Sequence, residues 1–435
     1  MPPVLEPAER AAHVQLLPEG RPDRRDPPAR ERHLHPQFSG DPRLIVTTAR
    51  RICVLTGTRA DYGLLRGLVR AIEASPLAEL QLLVTGTHLS GEHGATTAEI
   101  AADGIAPASS VRIWSGDDSA LGAAVDTGGA ITAFSRALDE LAPDVLVILG
   151  DRLEALAAAT AATILGIPVA HIHGGEITEG AMDDALRHAI TKLAFLHFTS
   201  TEDHRRRVIQ LGESPERVFF FGAPVVDALA ELDLLGRAAL EERFGIDLSG
   251  PTVLMTFHPA GMDVLPADEL FDELLAALEA TDLHLIFTGT NSDIGSAGIR
   301  AAMAAFVAAH PDRVDFVESF GQLGYLSTMA LVDVVTGNSS STVLEAPVLG
   351  IPSVLVGDRQ AGRPIGASVL VPAPDREAIR VTIERAASAE FRAESTGSPS
   401  PFGEPGFARR TLAELLAHDI PRPPRKKFHD LKDSQ

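Results

Sequence analysis

Between residues 49 and 410, short aliphatic and β-branched runs alternate with stretches whose apolar positions recur every three or four residues. The runs Ile52–Thr56, Leu80–Thr85, Asp144–Leu149, Val169–Ile172, Leu196–Thr199 and Val218–Phe221 predict strands in the first half. After the first of them, Leu64, Leu65, Leu68, Val69 and Ile72 keep helical spacing. An alanine-rich helix is predicted over Leu153–Leu165, stopped by Gly166 with Pro168 beyond it. The scheme repeats with strands at Val253–Phe257, His284–Thr288, Val314–Val317, Asp333–Thr336 and Ser353–Val356. Such alternation implies parallel sheets with helices on both faces.

The flanks break the pattern. Residues 1–48 are rich in Pro and Arg without periodicity and read as a mobile extension. The core divides into a Rossmann-like domain over 49–228 and a second one, binding the nucleotide, over 229–410. A C-terminal helix and a mobile basic tail are expected over 411–435. A chain of 435 residues suits two such domains of roughly 150–200 residues each. The expected fold is therefore α/β, with two parallel sheets facing across a cleft.

Composition narrows the partners. A formal net charge of −21 argues against nucleic-acid or membrane partners, whose phosphates repel an acidic surface. The single cysteine, Cys53, lies in an apolar run, so it reads as a small core residue. No apolar run is long enough to cross a bilayer, and the first residues lack a signal-peptide pattern, so a cytoplasmic protein is expected.

Ligands of open α/β sheets bind beyond the carboxyl ends of the strands, and there the polar clusters stand. The first strand runs into Gly57-Thr58-Arg59, a glycine turn opening a helix, which suits an anion or simply caps the helix. The third ends in Gly150-Asp151-Arg152, either an ion pair or an acid beside a phosphate-binding arginine. The fourth gives His171-Ile172-His173-Gly174-Gly175-Glu176, followed by Glu179, Asp183 and Asp184. One of the aspartates can serve as an N-cap, but two histidines and four carboxylates within fourteen residues exceed what capping needs. A metal on the His-x-His pair ranks below acid–base use, because the glycines interrupt the strand that would align the two rings. In the second half His258 and the Thr288-Gly289-Thr290-Asn291 run follow strands. Gly337-Asn338-Ser339-Ser340-Ser341 offers hydroxyls and amides to a diphosphate, and Glu345 a carboxylate for a ribose. Arg359 and Arg363 lie in the next loop.

In order, GTRADYG, VTGTHLS, GDRLEAL, HIHGGEITEGAMDDALRHAITKLAFLHF, GNSSSTVLEAP and GDRQAGR resemble the UDP-N-acetylglucosamine 2-epimerase superfamily, in its hydrolysing branch. That branch supplies N-acetylmannosamine-type sugars for sialic and other nonulosonic acids. The resemblance spans residues 51–365 and implies two Rossmann-like domains of the GT-B kind, as in many nucleotide-sugar glycosyltransferases. It implies that Arg59, Arg152, His258, Asn291, Ser339, Ser340, Glu345 and Arg359 hold UDP, with Ser341 at the same helix end. By the same resemblance Asp151, Asp183 and Asp184 would be the acids round the sugar. Glu176 and His258 complete the candidate catalytic set. Vertebrate-type members carry a glutamate where this chain has His173, leaving Glu176 or Glu179 as the nearest carboxylate; Gly63 replaces a serine of some relatives.

The implied reaction eliminates UDP to a 2-acetamidoglucal and adds water to give the free 2-epimer. A carboxylate, Asp151 with Asp183 and Glu176 as partners, serves the carbon-2 proton. Cationic and amide donors serve the leaving diphosphate. The implied substrate is UDP-N-acetylglucosamine or UDP-N,N′-diacetylbacillosamine, with no cofactor and no metal, in a homodimer or homotetramer. The competing readings are a GT-B glycosyltransferase with a UDP-sugar donor, a non-hydrolysing epimerase, and an inactive nucleotide-sugar sensor.

Overall fold

In a computed structural model, residues 49–89, 97–117, 119–178, 182–259, 265–290 and 296–431 are described. The extension expected over 1–48, and the candidates Asn291 and Glu179, lie outside them.

The apolar runs of the first half form strands β1 (Arg50–Thr56), β2 (Ala78–Thr85), β3 (Ser109–Val111), β4 (Val145–Leu149), β5 (Val169–Ile172), β6 (Leu196–Thr199) and β7 (Val218–Phe220). Among the described residues they make one parallel sheet in the order β3-β2-β1-β4-β5-β6-β7. The second half gives β8 (Thr252–Thr256), β9 (His284–Thr288), β10 (Val314–Val317), β11 (Val334–Gly337), β12 (Ser353–Leu355) and β13 (Val369–Leu370). These form a second parallel sheet, β10-β9-β8-β11-β12-β13. Both sheets are covered on two faces, which is why central strands such as Ile52–Leu55 and Val145–Ile148 are apolar at every position rather than at alternate ones. Cys53 is part of this core, and burial pushes its thiol up to about 12, far from nucleophilic use.

The helices of the first half are α1 (Arg59–Glu73), α2 (Thr97–Ala102), α3 (Ala120–Leu141), α4 (Leu153–Ile164), α5 (Met182–Leu193), α6 (Glu202–Gln210) and α7 (Pro224–Ala230). The chain's direction of travel reverses between β1 and β4 in the first sheet and between β8 and β11 in the second. These switch points leave crevices at the strand ends, where the two flanking loops part to opposite sides.

Two short edge strands, β3 and β13, were not foreseen. The C-terminal expectation also changes. The last helix starts at Phe407, before the boundary placed at 410, and packs Phe407, Ala408 and Leu415 against Leu65, Leu68 and Val69 of α1 in the first domain. The segment read as a mobile tail lies along the loops that feed β4 to β7. Arg422 donates to the Pro143 carbonyl at 3.0 Å, and Lys426 to the carbonyl of Ala194 and the carboxylate of Glu213, both at 2.8 Å. Phe428 covers Gly212, and the His429 amide donates to the Gly212 carbonyl at 2.9 Å. Basic and proline-rich composition suggests solvation, but here the cations meet carbonyls at a sheet edge and one buried carboxylate.

Candidate active site

The two switch points border one cavity of about 730 Å³. From β1 the chain turns at Gly57, and the Thr58 hydroxyl caps α1 by accepting the Asp61 amide at 3.1 Å. Arg59 follows on the cavity wall, its guanidinium 2.6 Å from Glu99 of α2. From β4 the chain turns at Gly150, whose φ of 75° lies in the left-handed region that glycine enters at least cost, and delivers Asp151 and Arg152 to the same wall.

Asp151 is half-enclosed. Burial pushes its carboxyl pKa up, the Arg187 guanidinium pulls it down, and Asp183 and Glu176 push it up again, with a net rise. Arg187 of α5 hydrogen-bonds the Asp151 carboxylate and also donates to the Thr178 hydroxyl at 3.1 Å. Beneath them His171 is fully buried in β5, with Nε2 2.8 Å from the Gly150 carbonyl and Nδ1 3.3 Å from the Thr191 hydroxyl. Burial lowers its pKa to about 3, so the ring is neutral and donates Nε2–H to Gly150. His173 instead borders the cavity, so the two rings of the His-x-His pair serve different surroundings.

Glu176 also borders the cavity and accepts the Ser200 hydroxyl at 2.6 Å. That hydroxyl has one proton, so toward His204 Nδ1, 2.8 Å away, it is the acceptor, which fixes the His204 tautomer. Burial alone would raise the Glu176 pKa, but His173, His204 and Ser200 outweigh it and hold the carboxylate at about 2. The His204 imidazole is pushed down by burial to about 4.

Asp183 and Asp184 stand in the first turn of α5 and do not border the cavity. Asp184 accepts the Thr178 amide at 3.0 Å and lies 3.6 Å from both Arg187 and His188, which makes it a clasp for the turn before α5. Asp183 is exposed and reaches Asp151 only through its charge.

In the second domain Gly337 ends β11 with φ 119°, and a Cβ there would stand 2.0 Å from the Thr256 carbonyl oxygen of β8. Glycine thus lets the strands close at their switch point. Asn338 then bridges to His258, accepting its amide at 2.8 Å and donating to its carbonyl at 2.7 Å. The Asn338 carbonyl in turn accepts Gln360 at 2.9 Å and Arg359 at 3.3 Å. Ser339 caps the following turn and bonds Ser341 at 3.0 Å, whose hydroxyl meets Tyr325 at 2.8 Å. Ser340, Glu345 and Arg363 reach the cavity wall; Ser339, Ser341, His258 and Arg359 do not. Glu345 Oε2 is buried with no hydrogen-bond partner, and burial raises its pKa against the pull of Arg363.

Of the residues singled out in the sequence, the cavity gathers Arg59, Asp151, Arg152, His173, Glu176, Ser340, Glu345 and Arg363. It adds Arg187 and His204, which had not been identified. Arginine on an amphipathic helix carries no mark that separates a buried partner from a solvated charge. The resulting wall carries acids and imidazoles on the first-domain side and arginines near both switch points, a layout that can move protons beside a departing anion.

The profile of the UDP-N-acetylglucosamine 2-epimerase family matches residues 70–416. The chain belongs to this family. Within it, the GDP/UDP-N,N′-diacetylbacillosamine 2-epimerase (hydrolyzing) of Campylobacter jejuni is 35% identical over 315 residues, 72% of this chain and 82% of that protein. The UDP-N,N′-diacetylbacillosamine 2-epimerase (hydrolyzing) of Legionella pneumophila is 37% identical over 316 residues, with the same two shares. Among solved structures, the UDP-GlcNAc 2-epimerase from Neisseria meningitidis bound to UDP-GlcNAc superposes with a TM-score of 0.69 at 18% identity, covering 85% of this chain and all of that one. Family membership and superposition agree with the two parallel-sheet domains of GT-B type, and no helix among the described residues is long and apolar enough to cross a membrane.

Proposed function

We propose that the chain is a hydrolysing UDP-sugar 2-epimerase, converting a UDP-2-acetamido sugar and water into UDP and the free 2-epimer. The observation that carries this reading is the cavity in which Asp151 and Glu176 face arginines and the Ser340 turn. Elimination needs a proton acceptor at sugar carbon 2 and positive charge where the diphosphate departs. Arg59, Arg152 and Arg363 supply that charge, and Glu345 is the acceptor for nucleoside hydroxyls.

The substrate we favour is UDP-N,N′-diacetylbacillosamine, the sugar in the names of the Campylobacter and Legionella relatives. UDP-N-acetylglucosamine is the second reading, supported by a Neisseria meningitidis relative of that name, 31% identical over 389 residues. The product would feed nonulosonic acid synthesis in the cytoplasm, by a homodimer or homotetramer.

Incubation with each sugar nucleotide in deuterated water, followed by NMR, tests the reading. The expected result is free UDP and a 2-epimeric sugar with deuterium at carbon 2, without any acceptor. Release of UDP only on adding an acceptor would make the protein a glycosyltransferase, and an epimer still carrying UDP a non-hydrolysing enzyme. Asp151→Asn is expected to slow turnover by about two to four orders of magnitude.

A further inference from the structure

Among the described residues, His173 is one of two non-glycine residues with positive φ, at 68°. Such a backbone costs of order 1–3 kcal/mol and persists where its surroundings over-determine it, often at functional sites. The surroundings here are tight. The His173 amide donates to the Phe198 carbonyl of β6 at 3.1 Å. A Cβ on Gly174 would stand 3.0 Å from His171 Nδ1, and one on Gly175 2.4 Å from the His204 carbonyl oxygen. The turn is thus pressed between β5, β6 and α6, and it sets the His173 ring on the cavity wall.

The two ring nitrogens differ. Nδ1 lies 3.7 Å from Glu176 Oε1, an ion-pair rather than a hydrogen-bond distance. Nε2 is buried and has no hydrogen-bond partner, a rare state for a polar atom in a folded protein. Glu176 is itself anchored by Ser200, which is backed by His204. A carboxylate fixed from behind therefore faces one imidazole nitrogen and leaves the other without a protein partner beside the cavity. This is the arrangement of a base oriented by a third group, with a contact that tightens when substrate is bound.

We propose that His173 is a catalytic residue, its Nε2 taking the carbon-2 proton of the sugar while Glu176 holds Nδ1–H. The assignment rests on the epimerase reading above. The Nε2 lone pair forms a bond to the proton, and the electrons of the C2–H bond become the second bond between carbons 1 and 2. The C1–O bond breaks with its electron pair leaving on the β-phosphate oxygen of UDP. The products are the glycal, UDP and an imidazolium paired with Glu176, which later gives its proton to solvent. Inversion requires the new proton to arrive on the opposite face of carbon 2. Asp151, one strand over from His173, delivers it, and water adds hydroxide to carbon 1 and returns its proton to Asp151.

The test uses His173→Gly, which suits the left-handed backbone, and His173→Asn, which tolerates it. UDP binding is measured by calorimetry, UDP release from the sugar nucleotide by a coupled assay, and hydration of added 2-acetamidoglucal in the presence of UDP by NMR. Both variants are expected to bind UDP within about threefold of wild type, to release it about a hundred- to ten-thousandfold more slowly, and to hydrate the glycal within about tenfold of wild type. Release within about threefold of wild type, or equal loss of both half-reactions, overturns the assignment. So does loss of UDP binding in both variants, which makes His173 structural. A wild-type protein that releases no UDP from either sugar removes the epimerase reading itself; an active wild type beside an active His173→Gly removes only this assignment.

Discussion

Arg187 of α5 reaches under the loop after β4 and hydrogen-bonds the carboxylate of Asp151. The guanidinium is almost wholly enclosed; it holds that carboxylate in place and pulls its pKa down against the burial that raises it. Arg187→Met removes an attraction that lowers the Asp151 pKa, while the burial that raises it remains. The limb of the kcat–pH profile governed by Asp151 should therefore move to higher pH. Turnover should also fall by about a hundredfold from misplacement of the acid. An unshifted profile with normal kcat would detach Arg187 from the chemistry.

Glu345 lines the cavity and has a buried carboxylate oxygen without a hydrogen-bond partner. If ribose hydroxyls fill it, Glu345→Ala should weaken UDP binding by about 10- to 100-fold, the loss of a charged hydrogen bond, with kcat changed little. Calorimetry with UDP reads this directly. A dissociation constant equal to wild type would mean the nucleoside lies elsewhere.

Glu213 is fully buried and takes Lys192 at 2.5 Å, Lys426 at 2.8 Å and His197 at 3.3 Å. Burial raises its pKa, but His197 and the two lysines outweigh that and hold it at about 2, below the usual 4.5. The folded state thus binds this proton less readily than the unfolded one. Its stabilisation is complete above about pH 4.5 and is lost as pH falls toward 2. Glu213→Gln should cost about 3 kcal/mol at neutral pH and flatten the acid side of the stability curve. Denaturant unfolding across that pH range checks both.

Deleting residues 421–435 removes the Lys426 tie and the Phe428 cover from the loops feeding β4 to β7. Those loops lie at the opposite ends of the strands from the cavity. The expected outcome is a melting temperature lower by about 5 °C, with KM unchanged. A changed KM with unchanged melting temperature would reverse that assignment.

The strands were legible because burial on both faces leaves continuous apolar runs, and Val169–Ile172 and Leu196–Thr199 were bounded correctly. β3 and β13 were missed because three- and two-residue edge strands have no pattern of their own; pairing with β2 and β12 makes them. Glycine turns at strand ends led to Asp151 and Glu176, since position along a strand fixes which end a loop leaves from. Asp183 and Arg187 show the limit. Both lie on α5, four residues apart, yet one is exposed and the other buried against Asp151. Residues four apart share a helix face, so the difference is one of depth along the helix: Asp183 stands in its first turn, and Arg187 one turn further on, where it meets Asp151, a tertiary contact that the local sequence does not encode.

The helix Phe407–Ala417 completes a core begun some 340 residues earlier, at α1. On the ribosome, the patch of Leu65, Leu68 and Val69 emerges long before its cover. The first domain is then among the last parts of the molecule to be finished, and the intervening domain must form while an oily surface waits. Lesions near the C-terminus should accordingly be felt as aggregation of newly made chains before they register as lost chemistry.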